Sequence, residues 1–407
     1  MILVRLAGIL TTALILPGLL GAQGTAAPGK SRCAPEAALP PLLKSALCTI
    51  SLTYHKPLHP VIRGIAPGGG LGAGLEYTVR PAENWRAAAA ATATVRESWS
   101  AEVGGGYRST RARMEAYARF RDLPQLAFFG LGTESDLADH SIFRLRDSVA
   151  GVLGSVRPVE WLTIGARVEG LWPEVRSSQS SRFPSIEARF DESEIPGLSA
   201  QPNMVRSQAS VDIAIPPAAG EALQQGAHYR IAYAVYSDQE LDQFSFRRLD
   251  VEVQQRFALL GAYRRLTLHG WLSISDTDAG HDMPFYLQPT LGGKWNLLGV
   301  HEELIGSDGT QATLRGFRNF RFRDRQLLLL QGEYRIPLWG PLDATVFAEA
   351  GKVTSRREDL DLRGLKRSLG FSLSVMRGPA TAARVDVGFG GGEGVQAFLT
   401  IHREAVP

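Results

Sequence analysis

The sequence predicts an all-β chain closed into a transmembrane antiparallel β-barrel of about sixteen strands. Three observations lead there. From about Gly70 to the C-terminus, apolar and polar residues alternate with period two, which is the spacing of a strand with one wet face. The polar faces carry too much charge for the core of a β-sandwich, but they suit a hydrated lumen with the apolar faces turned to lipid. Short connectors such as Arg157-Pro158-Val159-Glu160 and Pro337 to Leu342 alternate with longer ones at 121–141, 172–203 and 292–325. Short turns at one rim and long loops at the other are the rhythm of an outer-membrane barrel.

The elements follow in chain order. Met1 to Arg5 is a short basic region, Leu6 to Leu20 an apolar one interrupted by Pro17, and Gly21-Ala22 a small-residue site, so residues 1–22 read as a cleaved secretory signal peptide. After it, no run approaches the roughly 18 to 20 apolar residues of a membrane helix. Residues 23–69 form a short N-terminal extension rich in Ala and Pro, outside the alternating pattern. It carries both cysteines of the chain, Cys33 and Cys48, which fit a local disulfide in an oxidising compartment. Two unpaired thiols are the alternative. The same segment holds His55 and His59, but no metal site is expected there.

Residues 70–407 are read as the barrel domain. In the first strand Leu71, Ala73, Leu75, Tyr77 and Val79 share one face. Later, Leu162, Ile164, Ala166 and Val168 alternate with Thr163, Gly165, Arg167 and Glu169, and Leu249, Val251 and Val253 alternate with Arg248, Asp250, Glu252 and Gln254. The same design recurs where Leu266, Leu268, Leu272 and Ile274 oppose Arg265, Thr267, His269 and Ser273. It recurs again where Leu328, Leu330, Tyr334 and Ile336 oppose Gln331, Glu333 and Arg335. The sixteen expected strands lie near 70–80, 85–96, 98–108, 111–120, 142–156, 160–171, 204–215, 228–237, 246–257, 264–275, 284–291, 326–336, 343–353, 366–376, 381–389 and 394–403.

With 407 residues and a net charge of +3, the composition gives no reason to expect nucleic acid or acidic substrates as partners. His301-Glu302-Glu303 lacks the spacing for two metal ligands on one helix and is read as solvated loop. Gly388 to Gly394, GFGGGEG, is followed by neither a GK[ST] signal nor a helix, so it is read as a tight turn rather than a phosphate loop. The aspartates and serines form no ordered nucleophile and base set. No enzyme activity, cofactor, metal or small-molecule substrate is therefore expected.

One stretch is more specific. Leu314-Arg315-Gly316-Phe317, between the expected eleventh and twelfth strands, resembles the V/L-R-G-F/Y motif of the BamA/TamA superfamily of outer-membrane assembly and translocation barrels, also called the bacterial surface antigen family. Other pieces agree in order: Leu123-Pro124-Gln125, Phe128-Phe129-Gly130-Leu131-Gly132, Pro284-Phe285-Tyr286, Leu291-Gly292-Gly293, Gly332-Glu333-Tyr334-Arg335 and Val346-Phe347-Ala348-Glu349-Ala350-Gly351. The resemblance implies a long extracellular loop folded back into the barrel and rooted there by Arg315, Gly316 and Phe317. The receiving motif, FxDxG in the family, corresponds to Phe347, Glu349 and Gly351, with Glu in place of Asp. Period two puts those three on the lumen face, opposite Val346, Ala348 and Ala350.

The resemblance further implies a bacterial outer-membrane protein that meets membrane lipid and acts in protein insertion or translocation, with unfolded or nascent outer-membrane or secreted proteins as clients. Assembly members carry POTRA domains ahead of the barrel, and residues 23–69 are too few for one, so a short, POTRA-less member is expected. The alternative is a passive channel or structural barrel that keeps the fold without client insertion.

Overall fold

The computed structural model describes residues 56–215, 226–259, 264–293, 313–377 and 380–401. The expected signal peptide, Cys33, Cys48, His55 and residues 301–303 lie outside the described residues.

The strands are β1 (Leu58–Arg63), β2 (Gly72–Ala82), β3 (Trp85–Thr94), β4 (Trp99–Arg108), β5 (Ala112–Phe128), β6 (Ser141–Val159), β7 (Leu162–Ser177), β8 (Met204–Ile215) and β9 (Gly226–Asp238). They continue with β10 (Phe246–Ala258), β11 (Arg265–Thr277), β12 (Thr290–Leu291), β13 (Phe322–Arg323), β14 (Gln326–Trp339), β15 (Leu342–Thr354), β16 (Lys366–Arg377), β17 (Ala380–Gly390) and β18 (Val395–Ile401). Sixteen of them form one antiparallel sheet in sequence order from β1 to β18, while β12 and β13 pair with each other in a small second sheet. This is the wall of an up-and-down barrel.

Exposure along the strands separates the two faces. Leu75, Val103, Ile164, Val253, Leu268, Val346, Leu369 and Leu399 are all exposed on the lipid side, whereas Glu76, Glu169, Arg248, Ser273, Glu349 and Asp386 are buried on the lumen side. Trp85, Trp161 and Trp339 stand outward beside the short turns, and Trp99 and Trp172 stand outward nearer the long loops, as interfacial girdles do. Strand length varies around the wall: β6 has 19 residues and β1 has 6.

Two expectations are corrected. Residues 284–291 are not a wall strand. Phe285, Tyr286 and Leu287 are consecutive and all buried, so there is no alternation to make a wet face, and Pro284 and Pro289 remove ladder donors. The segment makes a 3-10 turn at Phe285–Leu287, and only Thr290 and Leu291 pair, with Arg323 and Phe322. Conversely, the wall begins at Leu58 rather than Gly70, because β1 pairs with β2 over Leu58–Tyr77 to Arg63–Gly72. A six-residue strand with Pro60 inside it carries little periodic signal, yet proline is tolerated on an end strand.

The long-loop end is packed rather than open. Phe128, Phe143, Ile186, Ile195, Tyr236, Phe244, Phe246, Met283, Phe285 and Phe320 meet in one buried cluster built from the upper halves of the strands and the loops above them. Phe285 lies edge-on to Phe128, Phe143 and Tyr286 at centroid distances of 5.4, 5.0 and 5.5 Å. β5 enters this region through a register shift between Leu123 and Leu126, where Pro124 sits at the irregularity.

Candidate functional site: the latch of the returning loop

The connection from β11 to β14 folds back inside the wall. Thr313 N–H donates to Gly293 O at 3.0 Å and Gly292 N–H donates to Thr313 O at 3.1 Å, so the outgoing and returning limbs run side by side. The returning limb then turns sharply, with Phe317 N–H donating to Leu314 O at 2.9 Å and Leu314 held at a φ of 46°. That left-handed conformation is unfavourable for leucine and persists because the surroundings fix it. Leu314 and Phe317 are buried among Leu291, Phe322, Leu327, Leu329, Val353 and Trp271. The run Leu327 to Leu330 is therefore split: Leu327 and Leu329 seat the loop, and Leu330 faces lipid.

The turn presents Arg315 to the wall. Its backbone N–H donates to Glu349 Oε2 at 2.5 Å and its Nε donates to Glu349 Oε1 at 2.7 Å, with both side chains essentially shielded from solvent. Glu349 is completed by Ser368 Oγ at 2.6 Å and Gln331 Nε2 at 2.7 Å. Arg315 Nη1 also lies 2.7 Å from Glu333 Oε1 on β14 and donates to Asp386 Oδ1 on β17 at 3.0 Å. The guanidinium stacks over the Phe347 ring at 3.6 Å. Arg384 shares the same acids, 2.8 Å from Asp386 and 3.0 Å from Glu333. Two guanidiniums thus face three carboxylates in a desolvated site, where charge-assisted bonds are strong and an unpaired partner is costly.

Small residues make the room. A Cβ on Gly316 would sit 2.4 Å from the Phe389 carbonyl carbon, and one on Gly388 would sit 2.3 Å from Arg315 O. The loop therefore lies against the bare backbone of β17. Gly351, the last residue of the receiving motif, lies where a Cβ would come within 2.9 Å of Leu291 Cδ1.

The rest of the arginine-rich stretch is also tied down. Arg321 Nε donates to Glu393 Oε1 at 2.5 Å in the turn between β17 and β18, while its Nη1 and Nη2 bond Ser135 at 2.8 and 2.7 Å. Arg323 donates to Phe285 O at 2.7 Å, and Arg325 pairs with Asp282. In the loops above the wall, burial and then the nearby guanidiniums of Arg318, Arg182, Arg189 and Arg321 push the His140 imidazole down to about 4. Burial pushes the Asp324 carboxyl up to about 6.

The structure therefore brings Arg315 onto Phe347 and Glu349 of β15, whereas Gly316 and Phe317 lie against Phe389 to Gly391 at the end of β17 and Gly351 lies against Leu291. Sequence reasoning missed three partners. Glu333 stood in a quoted stretch without a role, and Asp386 and Arg384 had only their lumen-facing parity to mark them. The sequence GFGGGEG, read as a turn, also provides the slot for the loop and the carboxylate for Arg321.

Comparison with known proteins adds the fold. The chain is similar to the crystal structure of BamA from Haemophilus ducreyi lacking POTRA domains 1–3, with a TM-score of 0.55 and 12% identity over 83% of this chain and 68% of that one. It is also similar to CdiB from Escherichia coli, with a TM-score of 0.50 and 10% identity over 88% of this chain and 69% of that one. No protein-family model matches the sequence. No curated protein matches it either. At these identities the likeness is one of fold.

Proposed function

We propose that this protein is a bacterial outer-membrane barrel that inserts protein clients into that membrane or passes them across it. The observation that carries the reading is the latch: a returning loop fixed by Arg315 to three acids of the wall and by Arg321 to the turn between β17 and β18. The loop thus holds the last hairpin of a sheet whose end strands are β1 and β18. The end strands have the fewest backbone bonds to hold them, and an end strand can accept an extended segment from another chain by strand addition. No covalent step is needed. The likeness in fold to BamA and CdiB supports this reading. A permanently open channel is disfavoured by the aromatic cluster that fills the long-loop end.

The test is reconstitution of the full chain in lipid vesicles with an unfolded barrel client. Client assembly above that of empty vesicles, reduced by Arg315→Ala, is the expected result. Steady ion conductance without any effect on client assembly or passage would overturn it in favour of a passive channel.

A further inference from the structure

The lumen holds a second group of arginines beside the latch, toward the short turns. Arg265 is the first residue of β11 and lies directly across from Arg335 of β14. Arg256 of β10 stands opposite Thr267, two residues further along β11 on the same face. Their neighbours Phe257 and Leu268 are exposed on the lipid side, so the three arginines point inward. All three lie next to the short turns, at the mouth away from the aromatic cluster.

Like charges directly opposite on neighbouring strands destabilise a sheet. Here the repulsion is barely offset. Arg335 Nε donates to Asp343 Oδ2 at 2.5 Å, which occupies that carboxylate. Glu333, two residues up the strand, is already held by Arg315 and Arg384. The Nε atoms of Arg256 and Arg265 are buried and have no hydrogen-bond partner among the described residues. Planar guanidinium forks converging from three adjacent strands match the geometry of a carboxylate or phosphate group, and desolvated nitrogens without acceptors favour such a group.

We propose that Arg256, Arg265 and Arg335 form an oxyanion-binding site inside the short-turn mouth of the lumen, open to a ligand that brings a carboxylate or phosphate. The site stands on the wall geometry and does not depend on the function proposed above. Its ligand enters from the short-turn side, because the other end is packed.

The experiment is calorimetric titration of the full-length protein in neutral detergent at constant ionic strength, with inorganic pyrophosphate in one arm and a tetraglutamate peptide in the other. Arg256→Gln/Arg265→Gln is compared with Arg108→Gln/Arg157→Gln, which removes two exposed arginines from β4 and β6 at the same rim. Saturable binding that weakens by about tenfold or more in the first variant, and by less than about twofold in the second, supports the site. Binding of pyrophosphate alone identifies a small anion as the ligand source, and binding of the peptide identifies acidic side chains. Arg256→Lys/Arg265→Lys keeps the charge without the fork and gives an intermediate loss, which remains readable if the Gln variant does not fold. Absence of saturable binding in both arms, or equal weakening in both Gln variants, overturns the proposal.

Discussion

Two groups of arginines share one lumen and are treated in opposite ways. Midway along the wall, Arg315 and Arg384 are enclosed by Glu333, Glu349 and Asp386, with Phe347 against the guanidinium of Arg315. Near the short turns, Arg335 pairs with Asp343, while Arg256 and Arg265 have no ion pair among the described residues and Arg265 shares the field of Glu333 with the latch. The first arrangement spends its charges on holding the protein to itself. The second leaves charge available to something else. The same residue type in the same cavity is therefore a fastener in one place and a receptor beside it, and the carboxylates bonded to each make the difference.

The contrast breaks most severely at Arg315. Arg315→Ala leaves three carboxylates facing a site shaped for a cation, at a cost of roughly 3 to 5 kcal/mol for a buried pair. Limited proteolysis should then cut within residues 313–325 while the barrel keeps its heat-modifiable migration, since the wall's backbone ladder does not depend on this side chain. Equal protection of variant and wild type would mean that the group is not a fastener.

A smaller loss should come from Gly388→Ala, which adds a carbon 2.3 Å from Arg315 O while keeping every charge. Overpacking of this kind costs about 1 to 3 kcal/mol. The same proteolytic pattern would show that close approach to β17 matters as well as charge, and an unchanged pattern would assign the hold to electrostatics alone.

An acid-dependent change of lesser size is expected above the latch. His140 has its folded value near 4 and an ordinary unfolded value near 6.5, so its contribution is complete above 6.5 and falls away as pH drops toward 4. Asp324, raised to about 6, acts in the opposite sense: its contribution is complete below about 3.8 and is lost as pH rises through 6. The difference between wild type and His140→Gln is thus the quantity to follow. Loop protease sensitivity should diverge between the two only below about pH 6.5.

The smallest effect has the reverse sign. Arg265→Gln removes a like-charge cross-strand contact and should stabilise the barrel by about 0.2 to 1 kcal/mol in urea unfolding, while weakening anion binding. A loss of stability instead would mean that Arg265 serves the wall.

Much of this was legible in the sequence, for identifiable reasons. Arg315 and Glu349 carry a motif, and period two alone places Phe347, Glu349 and Gly351 on the inner face. Asp386 was not legible: it is 71 positions from Arg315, and parity says only that it faces the lumen. The expected strand at 284–291 failed because a run such as Phe285-Tyr286-Leu287 is apolar on both faces, and the structure uses it to fill the end of the barrel. β1 was overlooked for the opposite reason. With six residues and a proline it has too few periods to register, and its pairing with β2 supplies what its own sequence lacks. The total of sixteen wall strands came out the same because one strand was gained and another lost.

The unequal strand lengths have a consequence for the bilayer. At about 3.3 Å per residue and a tilt near 45°, a 19-residue β6 gives a wall roughly 44 Å high, and a 6-residue β1 gives one of roughly 14 Å. The hydrocarbon layer is about 30 Å thick. On the β6 side the strand runs past the lipid and its outer face turns charged, with Arg144 and Arg146 paired to Asp122, whereas the lipid beside β1 meets too little apolar surface to cover its full depth. Either the acyl chains compress there or the whole cylinder leans, and both responses put the membrane's elastic strain against the end strands of the sheet.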